Sequence, residues 1–224
     1  MKKRKFIAID LETIADPAML GILPEVKPKG TLKDPVKIAA DIAQKKAAQI
    51  SGMGLSPMMN MICCAGWWDS DGKSGAVMLD DATDEAEKNL LIEFWDILGG
   101  YDHFVTFNGR AFDIRCMLLH GVSHGIRPSV NIDHGRYNRA GSNHTDLRPI
   151  LAGDDKFAPG KLDFFCRKFL GAGEEDHKTE GISGDLVQGY FDLGLLDEIR
   201  EYCIQDCSLT YRLFEKIRTA GLIE

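Results

Sequence analysis

The stretch KFIAIDLETI, residues 5–14, constrains this chain more than any other. Phe6–Asp10 reads as a buried central strand, its apolar run from Phe6 to Ile9 leading without a break into Asp10 and Glu12. Alternation along a strand sets those two carboxylates on the same face, about 7 Å apart. Placed so, they repel each other and lose hydration at the end of a buried element. The rest of the chain has to make that arrangement tolerable.

The organisation that follows is α/β. Residues 17–57 are punctuated by Pro, Gly and Lys around one helical stretch, with Asp34 as its N-cap and Pro35 in its first turn. Within it Ile38, Ala39, Ile42, Ala43 and Ile50 recur at helical spacing. Met61–Trp68 and Ser74–Leu79 read as strands joined by the turn DSDG, and Ala86–Leu98 as a helix stopped by a Gly pair. His103–Phe107 is a further strand and Ile114–His120 the helix after it. Residues 121–143 carry Gly, Pro, Asn and Ser and read as irregular. Helices follow at Lys161–Leu170, around Asp185–Phe191 and from Leu195 to Thr219. A strand, hairpin, helix, strand, helix order with a helical C-terminal half predicts a mixed sheet flanked by helices. No repeat or low-complexity tract interrupts it. The expectation is one domain over residues 1–224, with a lysine-rich helical insertion at about 17–57.

Composition narrows the function classes. The apolar run behind MKKRK is too short for a signal peptide or a membrane span, so a soluble, cytoplasmic protein with no membrane partner is expected. None of the six cysteines forms a C-x-x-C pair, which argues against a zinc ribbon or a thioredoxin motif and fits a reducing compartment. Cys203 and Cys207, four apart on a helix, offer half a metal site or two small core residues. A net charge of -7 speaks against coating nucleic acid through overall charge, but not against local, cation-mediated binding of a polyanion.

Further acids stand at structurally telling places. In FNGRAFD, Asp113 comes just after a strand and opens a helix; in EYCIQDC, Tyr202 and Asp206 lie four apart on one helix face. Four carboxylates in one cleft call for cations. Two Mg²⁺ or Mn²⁺ ions suit oxygen ligands and, at about 4 Å separation, clamp the attacking and leaving oxygens of a phosphoryl transfer.

Asp10-x-Glu12, then Asn108-Gly109-x-x-Phe112-Asp113, then Tyr202-x-x-x-Asp206 together resemble the three motifs of the DEDD 3′–5′ exonucleases, in the tyrosine subtype. The chain also resembles the bacterial and phage proteins described as predicted 3′–5′ exonucleases related to the proofreading domain of family B DNA polymerases. The stretches LSPMMNMICCAGWW and GDLVQGYFDLGLLDEIREYCIQD share in that likeness, which covers nearly the whole chain. The resemblance implies a ribonuclease H-like fold and an exonuclease that removes nucleotides from the 3′ end of single-stranded DNA or frayed ends by a two-metal mechanism. It implies Asp10 bridging both metals, Glu12 and Asp206 completing the tighter site, Asp113 helping to hold the second, and Tyr202 hydrogen-bonding the attacking water. Thr13 and Asn108 are then expected at the terminal nucleotide.

Other readings stand beside these. Asn108-Gly109 is also a turn dipeptide, and Phe112 is either a wedge against the terminal base or core. His144 and Asp146 are either support for the site or local caps; one of Trp67 and Trp68 faces the core and the other is open to base stacking. Lys178 is a candidate phosphate contact. An exoribonuclease would use the same chemistry, and only contacts to a 2′-hydroxyl would distinguish it. A catalytically idle nucleic-acid-binding module on the same fold would not need all five motif residues. An aspartyl-phosphate phosphatase would want a second Asp where Glu12 stands. A proofreading or repair role would call for a polymerase or repair partner.

Overall fold

The computed structural model describes residues 4–135, 141–153, 160–171 and 182–223. Its centre is β1, Phe6–Ala15, which runs on through both carboxylates rather than stopping at the first. Antiparallel to it lies β2 (Asn60–Asp69), followed by β3 (Ser74–Met78), also antiparallel. On the other side β4 (His103–Thr106) and β5 (His144–Asp146) are parallel, giving the order β3-β2-β1-β4-β5. With helices packed on it, this mixed sheet is a ribonuclease H-like α/β fold, as expected.

The helices are α1 (Pro35–Gly54), α2 (Asp84–Leu98), α3 (Asp113–His124), α4 (Leu147–Ala152), α5 (Leu162–Leu170), α6 (Val187–Asp192) and α7 (Leu196–Thr219). Asp34 caps α1 by accepting from Val36 N, and Thr83 caps α2 by accepting from Ala86 N. A short 3-10 helix, Pro17–Ile22, precedes α1. Three elements go beyond the sequence reading: this 3-10 helix, β5, three residues long, and α4, directly after it. No described helix is long and apolar enough to cross a membrane.

Strand alternation divides the core. Ile7, Ile9 and Leu11 join Leu90, Leu91 and Phe94 of α2 and Ile114 and Met117 of α3 in one cluster, while Ala8 and Val105 join Phe165 of α5 and Leu209 and Leu213 of α7 in another. Asp10 and Glu12 share the face of Ala8, toward α7. Trp67 packs on the first cluster, and its neighbour Trp68 lines an open cleft with Leu209 and Arg212 of α7.

How closely α7 approaches depends on one residue. Gly66 pairs with Asp10 across β1 and β2, and a Cβ there would lie 2.6 Å from Cys203 Sγ and 3.2 Å from Cys207 Sγ. A glycine inside a strand here permits the helix that carries Tyr202 and Asp206 to sit against the carboxylate strand.

Candidate active site

Three elements converge where β1 outruns β4. The parallel pairing of β1 with β4 covers Phe6–Ala8 only, so beyond it the β1 amides on that edge lose their strand partner. Asp113, the first residue of α3, takes one of them: its Oδ1 accepts from Leu11 N at 3.1 Å, which seats Asp113 beside the backbone between Asp10 and Glu12. A bulge between Glu12 and Thr13 then shifts the β1–β2 register immediately after the acids. From the opposite side α7 brings Tyr202 and Asp206, both buried.

The electrostatics follow from this packing. Tyr202 hydrogen-bonds to the Asp206 carboxylate; burial, and then the charges of Asp206, Glu12 and Asp10, push its phenol far above the ordinary range. Tyr202 therefore lies within reach of three of the four predicted ligands. Burial pushes Asp113 up to about 7, against the lowering by backbone N–H groups including that of Leu11, with the Asp146 charge raising it further. A buried carboxyl displaced this far lacks a compensating positive charge, which a bound cation would supply.

The structure groups the predicted ligands in part. Among the described residues, the set with ligand atoms all within 4.8 Å of one another is Asp10, Glu12 and Cys203; neither Asp113 nor Asp206 completes such a group. Cys203 thus adjoins the carboxylates instead of forming half a site with Cys207. The only signal for it in the sequence was its place next to Tyr202 on the same helix.

The predicted substrate contacts are largely engaged in the fold. Thr13 donates its hydroxyl to the Gly54 carbonyl oxygen at 2.6 Å, fastening the end of α1 to β1. Asn108 has φ 72°, the left-handed region that asparagine tolerates, and its N–H donates to Asp146 Oδ1 at 2.8 Å. Gly109 has to be glycine, since a Cβ would meet the Thr106 side chain at 2.5 Å. Phe112 is half-buried, packs on the main core cluster and sits at the N-cap of α3. Lys178 lies outside the described residues.

Asp146 and His144 turn out to organise the second motif. Asp146 accepts from Asn108 N and Arg110 N through its two oxygens and also caps α4 through Arg148 N. His144 donates from Nδ1 to the Asp133 carbonyl at 2.7 Å and shares a hydrogen bond of 2.8 Å with the Thr106 hydroxyl at Nε2. Burial holds the ring to about 4. These residues fix the loop that aims Asp113, and neither touches the carboxylate pair in the described contacts.

Comparison with known proteins agrees with the fold. The family B DNA polymerase of the hyperthermophilic archaeon Pyrobaculum calidifontis is similar over 99% of this chain, with a TM-score of 0.65 and 15% identity. The chain spans 25% of that polymerase. No curated protein matches. A family model described as predicted 3′–5′ exonuclease related to the exonuclease domain of PolB matches residues 57–221, a span that includes Asp113, Tyr202 and Asp206 and begins after β1. Matched over most of its length, the chain belongs to this family of predicted exonucleases related to the exonuclease domain of PolB.

Proposed function

We propose that this chain is a divalent-metal-dependent exonuclease of the tyrosine subtype, hydrolysing phosphodiester bonds from the 3′ end of single-stranded DNA or frayed ends. The observation that carries the reading is the convergence of Asp10 and Glu12 on β1 with Tyr202 and Asp206 on α7, while Asp113 is hydrogen-bonded to Leu11 between the first two. Acids packed this closely suit Mg²⁺ or Mn²⁺ as counter-charge. Asp10, Glu12, Asp206 and Asp113 would hold the ions, which when bound supply an activated water and stabilise charge on the reacting phosphate.

The protein's own groups set the geometry. Tyr202 keeps its proton at neutral pH, because burial and three carboxylates oppose the phenolate. It therefore serves as a hydrogen-bonding group that orients the attacking water and does not remove its proton. Asp146, through the backbone of Asn108 and Arg110, holds the turn from which Asp113 projects. Residues 1–224 are read as one catalytic domain, with 17–57 as an arm beside the site and a polymerase or repair protein as the prospective partner.

The test is digestion of 3′- or 5′-labelled single strands, DNA beside RNA, in Mg²⁺, Mn²⁺ and chelator. Stepwise shortening of 5′-labelled DNA that stops in chelator supports the proposal. Faster shortening of RNA would replace the substrate class with RNA. No shortening of either, by folded protein, would leave a binding module.

A further inference from the structure

Cys203 is fully buried on α7, and its Sγ lies 3.4 Å from the Asp10 carbonyl oxygen and 4.0 Å from Asp10 Oδ2. Together with Glu12 it completes the group with ligand atoms within 4.8 Å of one another. A tetrahedral ion with a metal–sulfur bond of about 2.3 Å and metal–oxygen bonds near 2.1 Å holds sulfur and oxygen about 3.6 Å apart. The Sγ–Oδ2 pair, at 4.0 Å, is within about half an ångström of that separation, and with all the ligand atoms within 4.8 Å of one another no sulfur–oxygen pair has to close by more than about 1.2 Å. Cys64 and Cys207 hydrogen-bond with Cys203, so the sulfur is embedded in soft, polarizable neighbours. Gly66 puts no side chain between them. Asp10 is half-buried, the least buried of the three.

Oxygen ligands alone favour Mg²⁺, Mn²⁺ or Ca²⁺, whereas a thiolate in the set selects a softer ion. We infer that Asp10, Glu12 and Cys203 form a site for a thiophilic divalent cation of the Zn²⁺ and Cd²⁺ class, with a fourth position open to water or a substrate oxygen. As such an ion binds, the Cys203 S–H bond gives way to a sulfur–metal bond and the proton leaves to solvent. The site shares both carboxylates with the hard-cation site proposed above, and its consequence for activity rests on that reading. A soft ion drawn toward Cys203 competes with Mg²⁺ for Asp10 and Glu12 and inhibits cleavage.

Cd²⁺ titration of the metal-free full chain, followed by the ultraviolet sulfur-to-cadmium charge-transfer band, tests the site independently of catalysis. The expected result is a band that saturates at one ion per chain, fades in a large excess of Mg²⁺ and is missing from Cys203→Ser. In Asp10→Asn the Cd²⁺ affinity should fall at least about tenfold, the lower end of what losing even an outer partner of a metal ligand costs. That variant leaves the sulfur packing intact, so it reports on the site even if Cys203→Ser fails to fold. A band that is absent from the parent chain, or unchanged by Asp10→Asn, overturns the inference. The labelled-strand assay separates the two claims. A chain with the cadmium band and no Mg²⁺-dependent cleavage keeps this site and loses the exonuclease reading; cleavage without the band does the reverse.

Discussion

His120 Nδ1 lies 2.7 Å from Glu87 Oε1, and its Nε2 lies 3.1 Å from the Pro57 carbonyl oxygen. A carbonyl and an ionised carboxylate only accept, so the ring satisfies both only as the imidazolium, with two N–H donors. Glu87 Oε1 also accepts from Ile62 N, and Oε2 is 2.7 Å from His124 Nε2. One buried carboxylate thereby ties α2, α3, the start of β2 and the loop before it.

This tie makes stability depend on acid. Burial raises Glu87, but the hydrogen bonds and charge of His120, with those of His124 and Ile62 N, outweigh it and hold the carboxyl below its ordinary value of 4.5. A lowered carboxyl contributes stability that is present above that ordinary value and fades as pH falls through the folded one. Glu87→Gln should cost about 1–3 kcal/mol at pH 7. In urea unfolding the gap between parent and variant should narrow below pH ~4.5. A gap constant down to the acid limit would mean that the ionised carboxylate contributes nothing special.

Asp113 should behave in the opposite sense. Its folded value, raised to about 7, means that the metal-free protein loses stability as pH rises from the ordinary 3.8 toward 7. Asp113→Asn keeps an oxygen for Leu11 N and removes the charge. In chelator the variant should therefore be the more stable by about 1–4 kcal/mol at pH 8 and close to the parent at pH 4. Mg²⁺ should raise the melting temperature of the parent, leave the variant nearly unmoved, and restore cleavage to the parent alone. A parent indifferent to Mg²⁺ in melting would count against Asp113 as a ligand.

Much of this site was visible in the sequence because its residues lie on regular elements. Periodicity located β1, α2, α5 and α7, and spacing placed Tyr202 and Asp206 on one helix face. What escaped were features decided by distant partners. β5 is three residues long, too short to show alternation, and exists because β4 offers it a parallel edge. Asp146 serves α4 and the Asn108 turn at once, which spacing alone cannot reveal. Thr13 reads as a free hydroxyl beside the acids until the end of α1 folds back and its Gly54 carbonyl accepts the hydroxyl's hydrogen bond. Cys203 reads as packing until Gly66 lets the helix down onto Asp10.

Tyr202→Phe isolates the hydroxyl. The proposed orienting role predicts retained Mg²⁺ binding and slower cleavage, by up to the roughly 10²- to 10⁴-fold of a positioned proton-handling group, with the low end expected because Tyr202 does not act as base. Calorimetric ion titration beside single-turnover cleavage checks both. Lost ion binding would make Tyr202 a ligand or a structural support.

Gly66→Ala tests the approach of α7. The added methyl would stand 2.6 Å from Cys203 Sγ, so the helix has to shift or the sulfur to turn away. An overpacked site of this kind costs about 1–3 kcal/mol. Activity should fall further than stability alone explains, since the same helix carries Tyr202 and Asp206. Combining Gly66→Ala with Cys203→Ala should recover stability, a coupling of about 0.5–3 kcal/mol in a double-mutant cycle. Strict additivity would show that the two residues do not meet.

The lysine-rich arm invites the last test. Of the twenty residues of α1 only Met53 is buried, so the helix is fastened mainly at its C-terminal end, next to Thr13. Its lysines are not equivalent. Lys45 Nζ is 2.8 Å from Asp41 Oδ2 and donates to the Lys27 carbonyl, so it staples the arm to the loop before it. Lys37 and Lys46 are exposed, and they stand on the same projecting helix in a chain of net charge -7. If they hold the backbone of the bound strand, replacing both by Ala lowers the salt slope of single-strand binding by about 1.4, at roughly 0.7 per phosphate contact. Cleavage of a two- or three-nucleotide substrate, too short to reach the arm, should barely change. Lys45→Ala should act differently, loosening the arm and raising its proteolytic sensitivity before it alters the slope. An unchanged slope in the Lys37 and Lys46 double variant would return the arm to an ordinary solvated helix.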